Sequence, residues 1–202
     1  SKRDSRYQEL RDRHYVPNRD TIGRQLHYLI WLDSQAVGII SGASAAYGVA
    51  PRDRFFDLAN HNDGQERGYQ LLHIVNNTVF RLEHNVPNLA TQVLAQWRRR
   101  VIHDWPTCSS RSAYRPFVLG FETFVGVAEH RVGTIYKADN WQCLGLTQGV
   151  AKRQRGGDLR KSTALIEREP TDRKLIFVKW AGKARQFPPL PSRQLAFNLQ
   201  AS

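Results

Sequence analysis

Apolar positions along the chain fall into short runs rich in β-branched and aromatic residues. These runs predict strands at residues 25–32 (QLHYLIWL), 36–44, 69–80 and 117–123, with a further pair at 141–147 and 174–180 (KLIFVKW). Asp33-Ser34-Gln35 separates the first two runs, which read as an antiparallel hairpin. Two stretches carry helical spacing instead. Tyr7, Leu10 and His14 share one face of a helix over 5–15, which Pro17-Asn18 ends. From Pro87 a second helix presents Leu89, Val93, Leu94 and Trp97, and closes on Arg98-Arg99-Arg100, where the helix dipole favours cations. Residues 47–68 show no period and read as polar loop, most clearly at HNDGQERG. Helix, hairpin, strand, helix and strands in that order predict a mixed α+β domain over 1–184. Within it, 151–173 reads as a basic flexible insertion, and 185–202 as a Pro-rich tail.

Some polar residues interrupt this pattern. Glu122 and Thr123 sit in an apolar strand. A carboxylate there is costly unless paired or exposed, and partial burial would raise its pKa toward general-base work; alternation alone would instead turn Glu122 to solvent. Tyr136, Asp139, Asn140 and Trp141 crowd one short stretch. One reading is a pocket, with the Tyr136 hydroxyl, hydrogen bonds from Asp139 or Asn140, and Trp141 stacked on a flat ligand. The other is a turn with Trp141 in the core; the density of aromatic and amide groups favours the pocket. Asn76, Asn77 and Arg81 near a strand end would orient a carbonyl or phosphate, or cap a loop.

Composition adds a partner. The chain has 202 residues, with 30 Lys+Arg against 18 Asp+Glu, a net charge of +12 and a pI near 10.2. That excess points to a polyanion, DNA ahead of RNA. Arg24, Arg98, Arg99, Arg100, Lys152, Arg153, Arg155, Arg160 and Lys161 are the cations expected to track a phosphate backbone. Two cysteines without short spacing, Cys108 and Cys143, suggest neither a disulfide framework nor zinc, and a reducing, cytoplasmic setting. The seven histidines form no metal motif. No apolar run is long enough to span a bilayer, and no signal peptide is visible. With no Met anywhere, the chain is expected to start at a trimmed or added residue. Gly156-Gly157 before Lys161-Ser162 fails as a P-loop because Arg160 stands where the glycine belongs.

One set of residues resembles a known pattern. Tyr114 and Pro116, then Glu122-Thr123-Phe124-Val125, then Gly133, Tyr136, Ala138, Asn140 and Trp141, then Leu144, Gly145, Thr147 and Gly149 follow the order seen in the DruA-like family. Gly23 to Leu26, Arg52-Asp53 and Val86 to Ala90 match upstream. The family's Gly-Arg-Gly-Arg is here Gly149-Val150-Ala151-Lys152-Arg153, a departure. These are small domains of the Druantia anti-phage system and of mobile elements. The predicted element order also resembles the GNAT acyltransferase superfold, which implies a largely antiparallel sheet flanked by helices. It further implies an acyl-CoA or other activated donor at the strand–helix junction, with Arg81, Val86 and Asn88 as its contacts. Mom-type DNA-modifying proteins, also GNAT-like, extend the implication to group transfer onto a nucleobase. On that reading Glu122 is the base, Tyr136 the acid or donor-positioning group, Asn140 the acceptor contact and Trp141 its stacking partner. Thr123, Asp139, Asn76, Asn77 and His14 complete the substrate site; DruA-like chains tend to carry His where His14 stands. The alternatives are a non-catalytic nucleic-acid module of a defence complex, with or without partner proteins, and an acyl or aminoacyl transferase acting on a small molecule or aminoacyl-tRNA.

Overall fold

The computed structural model describes residues 3–15, 23–59, 63–108, 114–127, 131–147, 173–183 and 185–188. Strands β1 (Gln25–Leu32) and β2 (Gln35–Ser44) form the expected hairpin, turning at Asp33 and Ser34, both at positive φ. β3 (Ile74–Leu82) pairs antiparallel with β2. β4 (Gly120–Gly126) then lies parallel to β3, and β6 (Lys174–Trp180) and β5 (Gln142–Leu146) follow antiparallel. The sheet order is β1-β2-β3-β4-β6-β5. Its single parallel pair is joined by α4 (Leu89–Asp104), because a parallel connection needs a long crossover.

The helices cover both faces. α4 lays Leu94, Trp97 and Val101 on one face against Val75 and Phe121, with Trp105 fully buried just beyond the helix. On the other face α1 (Ser5–Asp12) buries Tyr7 and Leu10 against Ile39 and Val79. Each such fully buried aromatic or aliphatic side chain contributes about 1.5–3 kcal/mol. Among the described residues no helix is long and apolar enough to cross a membrane.

Several boundaries differ from the sequence reading. Within the stretch read as loop, α2 (Ala50–Phe56) and α3 (Gly64–Leu71) form. Pro51 opens α2, and the Asp63 side chain accepts from Glu66 N at 2.9 Å to cap α3. Their buried residues include Arg52 and Arg67, so apolar periodicity could not reveal them. The third strand starts at Ile74 rather than Tyr69, and the fourth at Gly120 rather than Phe117. α4 runs a turn past Arg98-Arg99-Arg100. The run after Gly133 is a short helix, α5 (Thr134–Ala138), rather than a strand end or turn. Nearly all of the 151–173 insertion and most of the tail lie outside the described residues.

Candidate active site

The parallel ladder between β3 and β4 is short. It runs from Ile74↔Gly120 to Asn77↔Thr123 and stops, although β3 continues to Leu82 and β4 to Gly126. Just beyond, β3 carries a bulge: Ser41 pairs with Val79 while Gly42 pairs with Asn77, leaving Thr78 extra. The strands part there, and a cleft of ≈ 490 Å³ opens between them. It is lined by Asn77, Thr78, Phe80 and Arg81 from β3, by Thr123 to Val125 from β4, by His14 and Tyr15 after α1, and by 131–136 leading into α5. The inner edges of 78–82 and 124–126 carry backbone donors and acceptors that this ladder does not use.

Asn77 organises the floor. Its Nδ2 donates to Ser41 O at 2.9 Å and to Val79 O at 3.2 Å, satisfying carbonyls beside the bulge. Its Oδ1 accepts the Tyr136 hydroxyl at 2.7 Å. The Thr123 hydroxyl donates to Asn77 O at 2.9 Å and lies 3.5 Å from the Tyr136 oxygen. Tyr136 stacks on Phe177 with ring centres 5.6 Å apart. Burial pushes its hydroxyl well above the ordinary tyrosine range, so it holds its proton at neutral pH. His14 stacks on Tyr15 at 4.6 Å, and the Arg131 guanidinium lies 3.9 Å from the other ring centre, that of Tyr15. At the mouth Arg81 donates to Glu83 and to Arg13 O, and Arg13 reaches Glu83 at 3.2 Å, so the Glu83 carboxylate faces two guanidinium groups.

One loop beyond β3, residues 83–88 lead into α4. Asn88 at its N-cap has φ 62 and makes no side-chain cap. Among the described residues, Leu89 N bonds Val86 O at 3.2 Å, Gln92 N bonds Asn88 O at 3.0 Å, and the amides between them have no backbone partner. Val86 is exposed beside them.

His14, Asn77, Thr123, Tyr136 and Arg81 therefore meet in one cleft, although they come from four separate parts of the sequence. Other expected site residues are placed elsewhere. Glu122 points to the opposite face, fully buried, where its carboxylate accepts Ala46 N at 2.7 Å and binds Arg52. Burial pushes it up to about 7 against the pull of Arg52 and Ala46 N, yet no substrate in the cleft reaches it, which removes it as the base. Asn76 shares that face, with a buried, unpartnered Oδ1. Asp139 is a clamp: its carboxylate takes Arg98 bidentately at 2.7 and 2.8 Å and Trp141 Nε1 at 2.7 Å. Trp141 is core, only 4% exposed, and cannot stack on an acceptor. Asn140 lies exposed at φ 58, ending α5 in the left-handed position that Asn tolerates. Arg24 is buried, bonding Cys108 O, Trp105 O and Tyr114 O rather than phosphate. Of the arginine triplet, Arg98 is taken by Asp139 and Arg100 pairs with Asp104 at 2.7 Å. Lys152, Arg153, Arg155, Arg160 and Lys161 lie outside the described residues. The sequence reading missed the buried network of Arg52, Asp53, Arg67 and Glu122 as a unit; its traces were the lone carboxylate in an apolar strand and Arg52-Asp53 within the family pattern.

A mixed sheet split along its parallel pair, with a protonated tyrosine at the floor, defines the class: an α+β domain with its cleft inside the sheet. The family model described as Druantia protein DruA matches residues 1–178, and the chain belongs to that family. Solved structures with similarity to it include acetyltransferases. One is from Thermus thermophilus, 11% identical, with 78% of this chain and 64% of that one covered at a TM-score of 0.40. Another is a GNAT-family acetyltransferase from Streptococcus pneumoniae, 11% identical over 79% and 68% at 0.42. A third is aminoglycoside acetyltransferase AAC(6')-Ib in complex with coenzyme A, 11% identical over 78% and 66% at 0.45. The chain thus spans less than two thirds of the Thermus protein's length. No relative matches among curated proteins.

Proposed function

We propose that this chain is an acyl-type group transferase that takes an extended thioester donor between β3 and β4 and passes the group to an amine of a nucleic acid. The observation that carries the reading is the parting of β3 and β4 after Asn77 and Thr123, with the Tyr136 hydroxyl at its floor. A pantetheine-like arm has amides that pair with open strand edges, as any added strand does. The amides opening α4 suit its diphosphate. For the acceptor, the support is the net charge of +12.

In the transfer the amine nitrogen bonds to the thioester carbonyl carbon and the C–S bond breaks. Tyr136, which keeps its proton, turns its O–H from Asn77 Oδ1 to the departing sulfur. A thiolate needs little more, since an ordinary thiol already ionises near pH 8.5. His14, the imidazole lining the cleft, takes the proton leaving the amine, and solvent protonates the thiolate. Asn77 is the positioning residue that holds the tyrosine hydroxyl at the cleft floor until the donor arrives.

The test compares intact chain with Tyr136→Phe, in labelled acetyl-CoA transfer to oligonucleotides and in mass spectrometry of nucleosides from expressing cells. A new acylated nucleoside that falls about 10²–10³-fold in the variant is expected, the scale of losing one aimed donor. An unchanged nucleoside profile, together with no calorimetric binding of coenzyme A, would remove the transferase reading and leave a binding module.

A further inference from the structure

A second, larger depression lies away from the cleft. Between edge strand β1 and the outer side of α4 runs a groove of ≈ 690 Å³. Its floor is apolar, from Ile30, Ile40, Val93 and Trp97. Its α4 wall is a polar stripe: Gln92, Gln96, Arg99 or Arg100, and His103 recur at helical spacing and share one side. From Gln92 to His103 that stripe is about 17 Å long at the helical rise. Arg99 is exposed and makes no ion pair among the described residues. No carboxylate lines the groove. Asp104, next to His103, already accepts from Arg100 at 2.7 Å, from Tyr28 at 3.1 Å and from His103 at 3.0 Å.

The β1 wall is aromatic. Tyr28 and Trp31 line it. The β1–β2 register shifts between Ile30 and Trp31, and this irregularity accompanies a tryptophan that is 49% exposed. The Arg6 guanidinium lies 4.9 Å from its ring centre. Arg6 occupies one side of the indole, and the ring is still half exposed, which leaves area for a further stacking partner.

We infer that this groove between β1 and α4 binds a single-stranded nucleic acid, stacking a base on Trp31 while Arg99 contacts a phosphate. Single strands present the flat faces that a duplex hides, and side-chain amides such as Gln92 and Gln96 suit exposed base edges. Whole-chain charge draws the polyanion in. An acidic peptide would satisfy Arg99 but leave the indole unused.

Binding is read by fluorescence anisotropy of labelled single-stranded oligothymidylate, its duplex with oligoadenylate, and an oligoglutamate, using the full chain without any thioester. Failure of the transferase reading therefore leaves this test intact. The single strand is expected to bind in preference. Trp31→Ala should weaken it about 5- to 150-fold, and Trp31→Phe should restore most of the loss, since any aromatic face stacks. Arg99→Gln should lower the slope of log K against log salt by about 0.7, while Lys183→Gln, an exposed cation elsewhere, should leave the Trp31-dependent affinity unchanged. Equal affinity in Trp31→Ala and the intact chain, with both melting alike, would overturn the proposal. So would oligoglutamate binding as tightly as the strand, which would mark an acidic-peptide surface, or Lys183→Gln losing as much as Arg99→Gln, which would mean diffuse charge.

Discussion

Two buried polar groups carry consequences at the level of single side chains. Arg52 and Arg67 are fully buried and face Glu122 and Asp53. Removing one partner leaves a buried charge uncompensated, so Glu122→Gln should cost about 3–5 kcal/mol in urea unfolding. A loss below about 1 kcal/mol would show that the network relaxes around the amide. His73 tests pH. Phe117 O can only accept, so Nδ1 carries the proton (2.7 Å), and Nε2 accepts the Tyr114 hydroxyl at 3.0 Å. Burial holds the imidazole below its ordinary 6.5. The folded state then binds fewer protons than the unfolded one below that pH. Stability from His73 is full above about pH 6.5 and is lost as pH falls toward the depressed folded value. Glu122 titrates with the opposite sign in an overlapping range, so the informative quantity is the difference between the intact chain and His73→Gln. That difference should shrink as pH falls from 7 to 5; a constant difference would mean His73 does not titrate differently on folding.

α5 shows how one element holds another's chemistry. Gly133, its N-cap, has φ +68, and a Cβ there would lie 2.3 Å from Phe177, the ring on which Tyr136 stacks. Gly133→Ala thus adds a clash of about 1–3 kcal/mol to a left-handed backbone cost of about 1–2 kcal/mol. Gly145→Ala, at φ +94 with nothing within 4 Å, should show the backbone cost alone. Equal destabilisation of the two would mean Phe177 yields freely. Elements of this kind were hard to see beforehand. The strands were legible because β-branched and aromatic runs mark them. α2 and α3 were not, since arginines fill positions where periodicity looks for leucine. At the site, Tyr136 and Asn77 were legible as polar residues amid apolar ones, but not their contact, which spans 59 positions and depends on the bulge at Thr78. The polar crowding after Tyr136 proved to be the Asp139 clamp on Arg98 and Trp141, because side-chain direction at a helix end is set by tertiary partners.

Across the whole molecule, two separate places compete as the source of polyanion binding: the groove along α4, and the basic stretch between β5 and β6. The sheet allows them to be separated. β5 and β6 are antiparallel neighbours, and their facing ends already meet, with Thr147 N bonding Lys174 O at 2.8 Å and Lys174 N bonding Thr147 Oγ1 at 3.0 Å. A hairpin closed by Asn-Gly in place of 148–173 therefore asks for no rearrangement of either strand. Shortening that connection should stabilise the fold by about 1–2 kcal/mol through loop-closure entropy. Most of the +12 excess lies outside the segment removed, so long-range attraction survives. If α4 and Trp31 supply the contacts, the shortened chain should hold single-stranded oligonucleotide within about threefold of the full chain, with a Trp31→Ala loss of the same size in both. Retained folding with binding abolished would instead assign the contact to the excised stretch, and Lys152, Arg153 and Arg155 would be its first candidates.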